Sequence, residues 1–429
     1  MCMFILTYGL FYLLVPFIQT YFGLYRNNIS WFAILLNRVS IEEIFLNFLL
    51  AVVFLTVIII SYSVKTKSSE RNANEYIQNS KLNANSPYFK KVIRATDVIF
   101  IFSVLSILLL IRETGSLSNY LSLGVLTRGI DKDTSVYISS SYLQLVTASV
   151  IVLATPYLYL FLYRLRKSKA LIIKLIVSLI FSIIFLLYNQ GRASIIIFFL
   201  PFIFTLRNVK RTNILGLGLL MIFVVLSLDY IDAFFKYLAY GYFPINNSSN
   251  HISTFLGEFS YPFANFTLRH DLIEYVEYRF GIDYLVWPIT MIPNSLLKII
   301  GFSKENIISV LTMNTNAYGA ILGAMPTGGI PVDFLTINFY QFGYISLLIT
   351  SIIVGRLIKY FDRIFAFFRD DFVIKIVLYR LSFSIINILN NNDLSAIVRN
   401  RLDVVLIAVF IIYIYKAQKN YIHRNRVIL

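Results

Sequence analysis

Apolar residues run along this chain in blocks close to twenty long, broken by short polar stretches rich in lysine and arginine. Roughly twenty residues is what an α-helix needs to cross a bilayer. The pattern predicts about ten spans, near 3–23, 44–64, 95–112, 143–163, 170–188, 193–206, 213–233, 335–355, 372–390 and 402–415. The sixth and tenth are short and read as tilted partners, or as helices extending into polar flanks. The expected fold class is all-α, a polytopic transmembrane bundle, with 1–429 forming a single integral membrane domain. The first block lacks a basic leader region and an A-x-A site, so it reads as a retained helix.

One region breaks the rhythm. Residues 229–334 run about a hundred positions without a clean span, far longer than an ordinary loop. Aromatics are dense there, in "FFKYLAYGYF" and "FLGEFSYPFANF". The expectation is one large outer loop folded against the membrane face and containing short interfacial helices. Within it, "YLVWPITMIPNSLLKIIGF" reads as an interfacial or re-entrant helix pair broken by Pro288 and Pro293.

Composition agrees: 58% of residues are hydrophobic and 14% charged, where a soluble protein carries about 25% charged. The net charge of +16 first suggests nucleic acid, but its distribution removes that reading. Basic residues gather in alternate connections: the 65–96 loop, "YRLRKSK" at 163–169, "RNVKR" at 207–211, the stretch holding Arg356, Lys359, Arg363 and Arg369, and the tail with Lys416, Lys419, Arg424 and Arg426. Such alternation marks cytoplasmic loops and attraction to anionic lipid, not a basic face on a soluble module. Both termini are then cytoplasmic, and 229–334 lies outside. The lone Cys2 excludes an internal disulfide. The chain has no H-E-x-x-H, no Walker A and no G-x-S-x-G sequence, so a built-in zinc site, a self-contained ATP-driven pump and a serine hydrolase are not expected.

Ionisable residues near the outer side are the candidates for chemistry. Arg192 sits in the polar island "QGRAS" where the sixth block begins. It is either a snorkelling anchor or an anion clamp, since a guanidinium offers a fixed fork of donors that suits phosphate. "GEFSYPFANFTLRHD" gathers Glu258, Arg269, His270 and Asp271, and an imidazole poised near neutrality is a natural proton acceptor. Arg380 falls inside the ninth span and should face the bundle interior or snorkel. Arg399 and Arg401 lie on the outer side. Gly328, Gly329 and Pro331 make a shaped turn that delivers Asp333 to the mouth of the eighth span, as a helix cap or as a catalytic acid.

The architecture, the "QGRASI" turn, the "GEFSYPF" stretch and "GGIPVDFLTINFYQFGYISLL" entering a late span resemble the O-antigen, or oligosaccharide repeat-unit, polymerase (Wzy) family. That family's last segment often carries a Glu, an aromatic and N-F-G; here Asp333, Asn338, Phe339 and Phe342-Gly343 are spaced differently. The resemblance implies a multi-pass glycosyltransferase of the bacterial cytoplasmic (inner) membrane. It would join undecaprenyl-diphosphate-linked oligosaccharide repeats into surface polysaccharide on the outer, periplasmic face. No nucleotide sugar, metal or other cofactor is expected. Partners would be the lipid-linked repeats, with a chain-length regulator and a flippase of the same pathway. The diphosphate leaving group then needs fixed cations, and Arg192, Arg269 and Arg399 are candidates. The acceptor hydroxyl needs a base, and His270, Glu258 or Asp333 could serve. The rivals are a lipid-linked oligosaccharide flippase, an O-antigen ligase, and a lipid-phosphate-sugar glycosyltransferase using Glu42-Glu43.

Overall fold

The computed structural model describes residues 1–23, 38–64, 87–126, 140–189, 194–195, 197–202, 237, 251–292, 297, 299, 301, 308–323, 329–368, 372–390 and 401–427. Every element among them is a helix. Six helices are long and apolar enough to cross a membrane: α1 (Cys2–Tyr21), α2 (Ile41–Ser63), α3 (Pro87–Thr114, apolar over Phe89–Thr114), α5 (Leu145–Leu165), α6 (Lys169–Asn189, apolar over Lys169–Tyr188) and α11 (Phe334–Phe367). Between or after them lie α4 (Leu117–Leu126), α7 (His251–Thr267), α8 (Arg269–Val276), α9 (Ile282–Met291), α10 (Val310–Leu322), α12 (Phe372–Asn390) and α13 (Leu402–Val427). The predicted 213–233 span lies outside the described residues.

Local chemistry explains where these helices start and bend. Ser40 and Glu43 form a capping box at the start of α2: Glu43 N–H donates to Ser40 Oγ at 3.2 Å, and Ser40 N–H donates to Glu43 Oε2 at 3.3 Å. Glu43 is therefore occupied as a cap. Pro156 lacks the N–H that would bond Val152, and a 3-10 turn, Ile151–Ala154, precedes it in α5. The Val152 carbonyl accepts from the Thr155 N–H in that turn, and also from Thr155 Oγ1 (2.8 Å) and Ser182 Oγ (3.0 Å), as a dry environment requires. In α1 a π turn, Leu10–Leu14, lies just ahead of Pro16 and carries Tyr12.

The structure differs from expectation in three places. α3 begins at Pro87, so Lys90, Lys91 and Arg94 lie on helix and not in the 65–96 loop. A helix satisfies its own backbone and can outrun the hydrocarbon while long basic side chains reach back to water. Second, α9 passes straight through Pro288; a proline there removes one bond near the helix end, which a ten-residue helix tolerates. Pro293 lies outside the described residues. Third, α11 reaches Phe367 and is two helices joined at a break. Phe342 (φ −146°, ψ 32°) and Gly343 (φ 62°, ψ −141°) are non-helical, and the second conformation is essentially open to glycine only.

Packing divides the core in two. One cluster joins α1, α2, α7, α8, α10, Leu389 and α11 as far as Leu347; the other joins α3, α5, α6, the rest of α12, α13, Tyr120, Phe198 and the end of α11 at Ile364. The long part of α11 lies against α2. Ser61 Oγ donates to the Ile352 carbonyl at 2.8 Å, and a Cβ on Gly355 would sit 2.5 Å from the Ile58 carbonyl oxygen. Such backbone approach is what small residues permit between membrane helices.

Contacts also align the helix ends. Lys359 Nζ reaches the Val64 carbonyl (2.7 Å) and Tyr62 donates to Asp362 (2.8 Å). Tyr360 and Phe367 pack on Tyr415, and Phe410 on Phe161. Asp97 joins Tyr159 and Lys174. Chain positions flanking the basic stretches near 94, 163–169, 356–369 and 416 thus share one end of the bundle.

Candidate functional site

At the opposite end, α7 and α8 meet at Leu268, whose φ of −87° and ψ of 7° turn the chain between them. The first residue of α8 is Arg269, 2% exposed. Its Nη1 donates to Asn47 Oδ1 on α2 at 2.5 Å and to the Phe266 carbonyl at 2.8 Å. Its Nη2 donates to the Tyr344 hydroxyl, one residue past the α11 break, at 2.7 Å. The guanidinium carbon stands 4.5 Å from the Phe266 ring centre and 5.5 Å from those of Phe339 and Tyr344.

Among the described residues no carboxylate lies within ion-pair distance of Arg269, and its buried Nε has no partner. Burying an ion costs several kcal/mol even after relaxation. Aromatic faces, each contributing about 0.5–2 kcal/mol, and neutral acceptors offset part of that.

His270 follows on α8 and projects roughly 100° further around the helix. It is exposed, with Nε2 3.2 Å from the Tyr344 hydroxyl and its ring 5.2 Å from that of Phe339. Partial burial, and then the Arg269 charge, lower its pKa from the ordinary value; Asp271 and Glu43 oppose this. The imidazole is therefore held neutral and able to accept a proton.

Asp333 is elsewhere, at the start of the first part of α11, and fully buried. Its Oδ1 accepts from Leu335 N–H (2.9 Å), Thr336 N–H (3.2 Å) and the Tyr12 hydroxyl (2.6 Å). It is a helix cap. The shaped turn expected ahead of it leads into the helix start, and the backbone of residues 330–331 is clamped by side chains. Pro331 O accepts from Tyr261 and, at 2.9 Å, from Asn265, while Thr315 Oγ1 accepts from Ile330 N–H at 2.9 Å. At Gly329 a Cβ would meet Leu311 at 2.9 Å. Buried polar backbone needs partners, and side chains far apart in sequence supply them here. Asp333 Oδ2 and Thr336 Oγ1 stay unpartnered. No bond joins Asp333 to Arg269 or His270.

Of the six candidates, then, the fold brings Arg269 and His270 together and sets Asp333 apart. Glu258 belongs to α7, but its side chain lies outside the described ones; Arg192 and Arg399 lie outside the described residues. Arg380 faces the bundle interior, as expected, and its Nη2 meets Asp403 Oδ2 at 2.5 Å, both side chains being buried. Arg401 donates to Ser194 Oγ at 2.9 Å. Sequence reasoning missed Tyr344 and Asn47. Asn47 carried a legible sign, a lone amide in an apolar block; Tyr344 carried none beyond following Gly343.

A short three-way seam fixes the surroundings. Arg279 and Phe280 N–H groups donate to the Tyr340 (2.7 Å) and Gln341 (3.0 Å) carbonyls, and Gly281 N–H donates to Gln341 Oε1 at 3.0 Å. Asp283 pairs with Arg279 and accepts from Gln341. These bonds give the Tyr340 and Gln341 carbonyls, just before the α11 break, partners outside the helix. They hold Phe339 and Tyr344 against Arg269. No family model, curated protein or solved structure matches this chain.

Proposed function

We propose that this chain is a membrane glycosyltransferase that polymerises undecaprenyl-diphosphate-linked oligosaccharide repeats into O-antigen or a related surface polysaccharide. The single observation supporting the reading most is Arg269, a buried guanidinium with three neutral acceptors, a free Nε and no carboxylate beside it among the described residues. A fixed cation of this kind suits a lipid diphosphate, whose charge grows as the sugar bond breaks. The neighbouring neutral His270 suits deprotonation of the acceptor hydroxyl. Holding both lipid-linked partners at one membrane face supplies effective concentration.

In this reading the chain crosses the inner membrane about ten times. The basic end and both termini are cytoplasmic, and the 229–334 region faces the periplasm. Arg192 and Arg399 are further diphosphate ligands, and Glu258 an alternative base. The reaction uses no metal. A chain-length regulator and a flippase act beside it.

Deleting the gene tests the function. Surface glycolipid should collapse from a ladder of lengths to a core capped by one repeat. An uncapped core would point instead to a flippase or a ligase.

A further inference from the structure

Among the described residues, the Tyr344 hydroxyl is the group that touches both Arg269 and His270. A guanidinium has only donors, so Arg269 Nη2, at 2.7 Å, occupies a lone pair of the phenol oxygen. The phenol hydrogen must point elsewhere, and the acceptor within reach is His270 Nε2 at 3.2 Å. Phe339 packs edge-on against both rings, 5.2 Å from each, and fixes their mutual angle. His270 is neutral by the influence of burial and Arg269, with Asp271 and Glu43 the charged groups that oppose it. Its proton then sits on Nδ1, and Nε2 is already capped by the phenol. Tyr344 itself is 41% exposed and Arg269 2%.

We propose that Tyr344 is the group that takes the proton from the acceptor sugar, passing its own proton to His270. The inference rests on the polymerase reading. The sugar O–H bond breaks and a new O–H bond forms on Tyr344 Oη. The former phenol proton moves to His270 Nε2, giving imidazolium. The sugar oxygen bonds the anomeric carbon as the bond from that carbon to the diphosphate oxygen breaks, and the electron pair leaves with the polyprenyl diphosphate. Arg269 supports the negative charge that the phenol oxygen carries in passing.

The test uses full-length protein in liposomes, with polyprenyl-diphosphate-linked repeats extracted from a strain lacking this gene. Tyr344→Phe should lower kcat on the order of a hundredfold or more and leave KM near the parental value. The parent's rate should fall as acid protonates His270, and the residual Tyr344→Phe rate should not follow that limb. Nitrogen NMR of histidine-labelled protein, with His270 assigned through His270→Gln, gives a readout independent of turnover. The parent should show the Nδ1–H form, and Tyr344→Phe should lose that preference and titrate at higher pH. Parental kcat in Tyr344→Phe, a low rate that keeps the acid limb, or an unchanged His270 spectrum each overturn the relay. A parent that makes no polymer sinks the polymerase reading, and the spectrum alone then decides whether Tyr344 and His270 are coupled.

Discussion

Arg269→Met should abolish long-chain polysaccharide while leaving the protein in the membrane at parental levels. Two opposing effects decide this. Removing the guanidinium unpairs Asn47 and Tyr344, at about 1–3 kcal/mol for a buried orphan group. It also relieves the desolvation of an ion that has no carboxylate partner among the described residues, which is of similar or larger size. The balance leaves stability nearly unchanged. Chemistry has no such compensation: loss of one fixed donor at a developing anion costs about a hundred- to a thousandfold in rate. Arg269→Lys keeps the charge but loses the fork that reaches Asn47, Phe266 and Tyr344 together. Losing one charge-assisted contact costs on the order of 1.5–3 kcal/mol, roughly ten- to a hundredfold. Chain-length profiles beside immunoblots of the membrane fraction measure both. Parental polymer from Arg269→Lys would return this arginine to a structural role.

Asp403→Ala should do the reverse and remove the protein itself. Arg380 and Asp403 are both buried, and among the described residues Asp403 supplies the carboxylate that Arg380 meets. Deleting it strands a charge between α12 and α13, at about 3–5 kcal/mol. Membrane levels and the thermal midpoint should fall. Pairing Arg380→Met with Asp403→Leu removes both charges and should restore much of the loss, because an apolar pair of similar volume is often neutral. A double variant no better than Asp403→Ala would mean that the pair is not the source of the cost. Among the described residues, two buried arginines thus separate by a single criterion, the presence of a carboxylate.

Much of the fold was legible because its main signal is long and redundant. A run such as Ile41–Ser63 needs no tertiary information to be read as a helix. The α11 break was not legible. Phe342-Gly343 does not differ from any other site with a glycine inside a span until the Tyr340 and Gln341 carbonyls are seen accepting from Arg279 and Phe280. Asp333 reads in sequence as a helix cap or a catalytic acid, and the bonds that its Oδ1 accepts from Tyr12 and two backbone N–H groups show the capping role. His270 and Arg269 were legible as a cluster because adjacent charges survive any fold. Their link through Tyr344 spans 74 positions and depends on the packing of Phe339.

The most direct measurement is reconstitution of the purified protein in liposomes that carry lipid-linked repeats on the accessible leaflet, with a chelator in excess. The account predicts growth of a ladder of lipid-linked oligosaccharides and release of one undecaprenyl diphosphate for each bond formed. Movement of intact lipid-linked repeats between leaflets without any new glycosidic bond would contradict it.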